Sequence, residues 1–377
     1  MSKIRLALIC GGMSPEHSVS LVSAASVMSA IDRERYEIIP IKITREGAWI
    51  SAPNNPEELS RGGFDETEEQ ATHSGSADVS PAQLVLGMAD RHLYEISSDG
   101  SAIKDLGQID VVFPVLHGPF GEDGTIQGML DMAQIPYVGC GVVASGTAMD
   151  KHMMKIILDE AGIPNVPYVL ATAQRWSEAP EQIVEEVREK LAYPVFVKPA
   201  RAGSSIGVTK VSSEAELGAA LAKAHSVDPK ALIETGIDGR EIECAVLGGH
   251  GSERARAAVL GEIRLGSNDA GFYDYNNKYL GTAELHLDIP ANVEEETAQK
   301  MRNLAVDVFE AFGCEGLTRV DFFLTPDGQI YVNEQNTMPG FTAVSMYPKM
   351  WEAAGLPYSQ LIDELVSLAL ERPLGVR

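Results

Sequence analysis

Positive charge is in short supply in this 377-residue chain: 30 lysines and arginines face 54 aspartates and glutamates, a formal net charge of −24. A chain with no basic field cannot neutralise a phosphate backbone, so no nucleic-acid partner is expected. Any anionic ligand must be held by a few local lysines or arginines, or by a metal ion. Cysteine is scarce as well. Cys10, Cys140, Cys244 and Cys314 lie far apart with no Cys-x-x-Cys, which argues against a disulfide framework or zinc site and fits a reducing, cytoplasmic setting. No apolar run is long enough to span a bilayer, so no membrane partner is expected. The basic, then apolar, start MSKIRLALICGG is too short for a signal peptide and breaks at Gly11-Gly12, which fits a first strand. Gly-Lys occurs nowhere, which excludes the standard P-loop.

What is present is an ordinary core-forming composition, 45% hydrophobic, in a chain with room for two or three domains. IRLALIC (4–10) reads as a buried parallel strand, and the helical stretch 17–31 and YEIIPIKI (36–43) complete a β-α-β unit. Residues 51–82 are polar and glycine-rich and read as an exposed, mobile insertion. A buried strand is expected in IDVVFPVLHG (109–118). A second unit alternates helices 149–161, 180–191 and 213–225 with strands 166–171, 194–199, 207–211 and 231–237. A third carries long strands from Arg240, a helix over 294–312, a hairpin and a C-terminal helix. The mixture points to α/β and α+β domains.

Six stretches carry candidate chemistry. In GGMSPEHSVS (11–20) a strand leaves through two glycines into a helix; Glu16 could accept an ammonium there, or Ser14 simply caps the helix. LHGPFGEDGTIQG (116–128) places His117 and Glu122-Asp123 after a strand on a tight glycine path, where His117 is either functional or structural. GCGVVA (139–144) fits a dinucleotide fingerprint, but it falls deep in the chain and its helix is expected to begin late, near Thr147–Asp150, so no dinucleotide site is expected. FVKPARAGSSIGV (196–208) sets Lys198 at a strand end before Gly203-Ser204-Ser205. It reads as a β-turn-β flap whose backbone could cradle an anion, or as a plain hairpin.

TRVDFFLTPDGQIYVNEQNTMPG (318–340) is the strongest local signal. With Asp327-Gly328 as a two-residue turn, Asp321 lies across from Glu334 and Arg319 across from Asn336, on one face. Opposed carboxylates repel unless a cation sits between them, and Mg²⁺ takes such oxygen ligands. Arg319 beside them offers a fixed fork for phosphoryl or carboxylate groups. The alternative is a solvated polar face. Finally, GSNDAGFYDYNNKYLG (266–281) reads as a loop that closes over a site, with Lys278 and Tyr279 as candidate ligand groups.

Jointly, HGPFGEDGTIQ, RVDFF…NEQNTMPGF and FYDYNNKYL closely resemble the D-alanine–D-alanine ligases of the ATP-grasp superfamily, a resemblance that runs over nearly the whole chain. It implies a three-domain ATP-grasp architecture, here 1–139, 140–235 and 236–377, with ATP held between the second and third domains. It implies that Lys151 and Lys198 contact the ATP phosphates under the Gly203-Ser204-Ser205 flap, that Ser205 and Lys278 also bind ATP, and that Glu234 meets the adenine and Glu241 the ribose. Asp321, Glu334 and Asn336 resemble ligands of Mg²⁺, or of Mn²⁺ in its place. Glu16 would take the first D-alanine's ammonium near His117, and Ser345 the second D-alanine's carboxylate. Arg319 and the Gly340 backbone would stabilise the oxyanion, while Ser204, Tyr279 and Glu16 would tie flap and loop together. A homodimer, D-alanine and ATP as substrates, and a role in peptidoglycan precursor synthesis are implied too. Tyr279 favours the dipeptide over D-alanyl–D-lactate. Thr235 departs from relatives that place lysine against adenine. Another ATP-grasp carboxylate–amine ligase is one alternative, and a non-catalytic ATP-binding regulator on the same scaffold is the alternative from another class.

Overall fold

The computed structural model describes residues 2–64, 82–88, 90–203, 205–265 and 285–375. Ser204, Lys278 and Tyr279 lie outside the described residues, as does most of the 51–82 insertion.

The first sheet has the order β3-β2-β1-β7, built from β1 (Ile4–Gly11), β2 (Tyr36–Ile43), β3 (Trp49–Ser51) and β7 (Val111–Pro114). β1 runs parallel to both β2 and β7, as its unbroken apolar run requires of a strand buried on two faces. β1 and β7 therefore end side by side, Ile9 opposite Pro114, and release the loops before α1 (His17–Ala30) and α3 (Thr125–Met132) at one edge. A small meander, β4 (Gln83–Leu86), β5 (His92–Ile96) and β6 (Ile103–Gln108), lies between β3 and β7 in sequence. The insertion is not wholly irregular: α2 (Pro56–Phe64) forms within it, and Leu59 is buried in the same core as α1. Leu59 and Phe64, five apart among polar residues and glycines, are too weak a periodic signal to predict that helix.

α4 (Val142–Met149) begins directly at GCGVVA, with Gly141 at its N-cap, and not near Thr147. The fingerprint's first glycine nevertheless faces protein, since a Cβ on Gly316 would meet the Gly139 backbone at 3.0 Å. α5 (Lys151–Glu160) follows at once, capped by the Asp150 carboxylate, which accepts from His152 N and Met153 N.

The second sheet, order β10-β9-β11-β8, comprises β8 (Tyr168–Thr172), β9 (Val195–Pro199), β10 (Thr209–Val211) and β11 (Lys230–Thr235), all antiparallel. Its core is shared with α7 (Pro180–Lys190) and α8 (Leu217–His225); the short α6 (Ala173–Glu178) precedes them. The third sheet, order β14-β13-β12-β15-β16, contains β12 (Arg240–Leu247), β13 (Arg256–Leu265), β14 (Leu285–Asp288), β15 (Leu317–Leu324) and β16 (Ile330–Asn336). α9 (Glu295–Ala311) covers it through Met301, Ala305 and Val308. α10 (Met346–Ala353) and α11 (Tyr358–Glu371) return to the first sheet, where Tyr347 and Leu361 share a core with Leu6 and Phe113. The end of the chain thus brings the third sheet's loops against the first sheet's ligand edge.

Candidate active site

At that edge, Gly11 and Gly12 both have positive φ (85° and 99°), and a Cβ on Gly11 would strike Ile43 O at 2.3 Å. The turn they make carries Glu16 to the N-terminus of α1. Ser14 accepts from Glu16 N but does not cap the helix, and the Glu16 carboxylate, 9% exposed, lines a chamber of about 290 Å³. His117 enters from the loop after β7. Its Nδ1 lies 3.0 Å from Met338 O, a pure acceptor, so Nδ1 carries the proton; Nε2, 3.1 Å from Ser23 Oγ, accepts. Burial lowers the His117 pKa despite Glu16 nearby, which agrees with a neutral ring. His117 therefore lines the chamber while both ring nitrogens serve the protein: it ties the 117 loop to the 338 loop.

Glu122 does the same with a carboxylate. Oε2 accepts from Gly118 N at 2.7 Å and Oε1 from Met338 N at 3.1 Å. Burial and then the neighbouring Glu16 push its pKa up to about 8, against those two donors. The sequence marked Glu122 within HGPFGEDG without giving it a role, because only burial reveals that it braces two loops. Gly118 (φ 74°) completes the turn, and a Cβ there would lie 2.5 Å from Glu16 Oε2.

β9 and β10 pair antiparallel, Val197 opposite Thr209, around the loop 200–208, giving the expected hairpin. Ser205 (φ 58°) and Gly207 (φ 76°) both take the left-handed region, and Ile206 N donates to Gly203 O. The loop backbone at Gly203 faces Glu16, whose Oε2 a Cβ at 203 would approach to 3.4 Å. Lys151, at the first turn of α5, donates from Nζ to Ala202 O at 3.0 Å and stands 3.6 Å from Glu334 Oε2. It thus links the flap base to the hairpin.

Lys198, on β9, is 2.5 Å from Glu234 Oε2 on β11. Behind them, Lys155 of α5 is fully buried 3.2 Å from Glu234 Oε1. Glu234 thus sits between two ammonium groups in a wall of the nucleotide-sized cleft. Burial opposes the Glu234 charge, but the two ammonium groups outweigh it and hold the carboxyl below its ordinary range.

The β15–β16 register has Arg319 opposite Asn336 and Asp321 opposite Glu334. The route to it differs from expectation. The turn is longer than two residues: Leu324 pairs with Ile330, Thr325 N donates to Gln329 O, and Gly328 takes φ 83°. A β-bulge between Asp321 and Phe322 then restores the offset. Arg319 forks Asp321 through Nε and Nη2, both 2.7 Å, and meets Glu243 Oε2 at 3.1 Å. Burial opposes the guanidinium charge, yet Asp321 and Glu243 hold its pKa well above the ordinary value. Asn336 Nδ2 donates to Asp321 Oδ2 at 3.0 Å.

No group of three histidine, cysteine, aspartate or glutamate side chains poised for a metal occurs among the described residues. The oxygen set Asp321, Glu334 and Asn336 nevertheless suits a hard divalent cation, and here protein cations, Arg319 and Lys151, stand against its carboxylates. Glu243, buried at 5% exposure, was missed in the sequence. Its position two residues after Glu241 on one strand face was the available signal.

A cleft of about 550 Å³ between the second and third sheets is lined by Lys151, Lys198, Ser205, Glu234, Glu241 and Asp321. The 290 Å³ chamber is lined by Glu16, His117, Arg319, Asn336, Gly340 and Ser345. Ser345 sits at the N-terminus of α10, its Oγ accepting from Thr342 N and 2.8 Å from Thr342 Oγ1. Lys151, Glu243, Ile263 and Glu334 belong to both cavities, so the two spaces share one wall.

The N-terminal part of the chain, residues 5–140, matches a family model described as D-ala D-ala ligase N-terminus, and residues 157–367 match D-ala D-ala ligase C-terminus. A curated D-alanine–D-alanine ligase of Arthrobacter sp. (strain FB24) is 47% identical over 100% of this chain and 96% of its own length. That of Kocuria rhizophila is 47% identical over 99% of this chain and 95% of its own length. Among solved structures, the VanG D-Ala:D-Ser ligase from Enterococcus faecalis is 36% identical, with a TM-score of 0.82 over 98% of this chain and 100% of its own. The D-alanine–D-alanine ligase from Coxiella burnetii is 32% identical, with a TM-score of 0.79 over 99% of this chain and 95% of its own.

Proposed function

The chain belongs to the D-alanine–D-alanine ligase family, and from that premise we propose how its residues divide the reaction among them. It is an ATP-grasp enzyme that joins two D-alanines into D-alanyl-D-alanine at the expense of ATP, for peptidoglycan precursor synthesis. The observation that carries the assignment of roles is the shared wall: a nucleotide-sized cleft and a small acid-and-arginine chamber meet at Lys151, Glu243 and Glu334.

A carboxylate is a poor electrophile, so it must first take the γ-phosphoryl group, forming an acyl phosphate and releasing ADP. That transfer depends on alignment and charge neutralisation. Lys151 and Lys198 supply positive charge from the cleft, with Ser205 and Lys278 joining from the flap and the 266–281 loop. Glu234 can accept from the adenine amino group, and Glu241 can accept from ribose hydroxyls. Glu16 pairs with the ammonium of the first D-alanine, while His117 and Glu122 fix the loops that shape the chamber. Asp321, Glu334 and Asn336 would hold Mg²⁺, or Mn²⁺, which when bound neutralises phosphate charge.

The second D-alanine's carboxylate is received at the N-terminus of α10 by Ser345, whose hydroxyl is oriented by Thr342. Its amine attacks the acyl carbon, phosphate leaves, and Arg319 with the Gly340 N–H stabilises the tetrahedral oxyanion. Ser204 and Tyr279 are proposed to close flap and loop with Glu16, excluding water from the acyl phosphate. The Gly203 backbone beside Glu16 supports that closure. We divide the chain into functional domains 1–139, 140–235 and 236–377. A cytoplasmic homodimer is proposed; no described helix is long and apolar enough to cross a membrane.

The test is ADP release with D-alanine as sole amino acid and identification of the dipeptide by mass. D-serine and D-lactate compete as second substrates. Preferred use of either, or ATP binding with no turnover, refutes the assignment. A monomer mass by light scattering refutes the dimer.

A further inference from the structure

Lys155 has no role in the mechanism above, yet among the described lysines, arginines, aspartates and glutamates it is the most completely buried, with 0% exposure. A buried ammonium is costly unless paired and hydrogen-bonded. Lys155 Nζ donates to Val166 O at 2.9 Å, stands 3.2 Å from Glu234 Oε1, and lies 5.3 Å from the centre of the Tyr168 ring. Asn165 Oδ1 is 3.5 Å away. At 0% exposure the ammonium has no path to solvent.

Glu234 is therefore shared between two ammonium groups of different kinds. Lys155 is enclosed, whereas Lys198 lines the cleft and keeps part of its side chain, 14%, exposed. One carboxylate between two lysines leaves a net charge of +1, displaced toward the cleft. If Glu234 had Lys198 as its sole counter-ion, an incoming phosphate could take Lys198 only by stranding a buried carboxylate. With Lys155 in place, Lys198 can turn from Glu234 to the nucleotide while Glu234 stays paired.

We propose that Lys155 is a positioning residue for nucleotide binding: the standing counter-ion of Glu234 that frees Lys198 for the phosphates. The inference rests on the reading of the 550 Å³ cleft as the nucleotide site. It makes Lys155 act through Glu234 and not through the packing of α5 alone.

A double-mutant cycle tests this, using ADP titrated calorimetrically and steady-state kinetics on the full-length enzyme. Lys155→Met is expected to weaken ADP at least tenfold and to raise KM for ATP similarly, with KM for D-alanine within twofold of the parent. In the Glu234→Gln background, where no carboxylate competes for Lys198, Lys155→Met should cost less than twofold. An equal tenfold loss in both backgrounds overturns the proposal, because the lysine would then serve structure alone. Should Lys155→Met not fold, the neutral pair Lys155→Met/Glu234→Gln is compared with Glu234→Gln: agreement within twofold supports the proposal and a tenfold gap overturns it. Lys198→Met with unchanged ADP affinity would remove the nucleotide reading of the cleft itself, and this proposal with it.

Discussion

Replacing Glu334 by glutamine separates the chemistry of the hairpin from its stability. In the folded protein Glu334 makes a 3.6 Å contact with Lys151, and the two side chains are 29% and 14% exposed. A partly exposed pair at that distance contributes at most about 1 kcal/mol. Its loss should lower the melting temperature by no more than about 4 °C, the upper end for a 1 kcal/mol change in a large domain. The catalytic effect is of another size. Glu334 would act through the cation it helps to hold, and one unit of positive charge about 4 Å from the transferring group is worth about 4 kcal/mol at an effective dielectric near 20. At about 1.4 kcal/mol per power of ten, turnover should fall roughly 10³-fold. The assay is ADP release coupled to a reporter enzyme at saturating ATP and D-alanine, beside a thermal melt of the same preparation. Glutamine preserves shape and one oxygen donor, so a fold collapse is not expected. Turnover within threefold of the parent would refute the assignment of Glu334 to the phosphate and metal end of the site.

The remaining predictions concern the loops that frame the chamber. Glu122 is raised to about 8 from an ordinary 4.5, so between those values the native state holds a proton that the unfolded state has lost. Its stabilising contribution is complete below pH 4.5 and is lost as pH rises toward 8, at up to about 1.4 kcal/mol per pH unit. His117, lowered by burial from 6.5, acts oppositely below pH 6.5, and His250, raised by Glu371 and Glu364, adds to the slope above it, so Glu122 is read as the difference from Glu122→Gln between pH 6.5 and 8; that variant should flatten the slope, and an unchanged slope refutes the shift. Gly118→Ala puts a Cβ 2.5 Å from Glu16 Oε2 at φ 74°; KM for D-alanine should rise at least tenfold, with the melt lowered by more than about 1 kcal/mol. Asp150 both caps α5 and pairs with Lys230 at 2.8 Å. Asp150→Ala should cost about 1–2 kcal/mol and raise KM for ATP through Lys151, and Asp150→Asn, which keeps the cap oxygen, should recover most of both.

Periodicity in the sequence carried real information about the site. Alternation along TRVDFF and IYVNEQN placed Arg319, Asp321, Glu334 and Asn336 toward one space, and the folded register agrees. The turn length was misjudged, and agreement survived because the bulge beside Asp321 compensates by one residue. Turn and bulge are settled by how β16 packs, since Val332 must remain in the core on one side of the bulge and Gln335 on the other. The start of α4 was misplaced for a related reason: its buried residues are small, so periodicity gave no clear onset.

The sequence by itself determined which elements form and which short stretches hold the chemistry: glycines where backbone must turn, a lysine at a strand end, and acids and an arginine on alternating positions. These are local properties, governed by the two-residue period of strands and by residues with special backbone freedom. The tertiary structure alone decided which charges from distant segments meet. Lys155, Lys198 and Glu234 come from α5, β9 and β11, and His117 and Glu122 reach Met338 across more than 200 residues. No local pattern encodes such partners, because the strength of a buried charge depends on what excludes water from it and what opposes it, and both are supplied by distant chain.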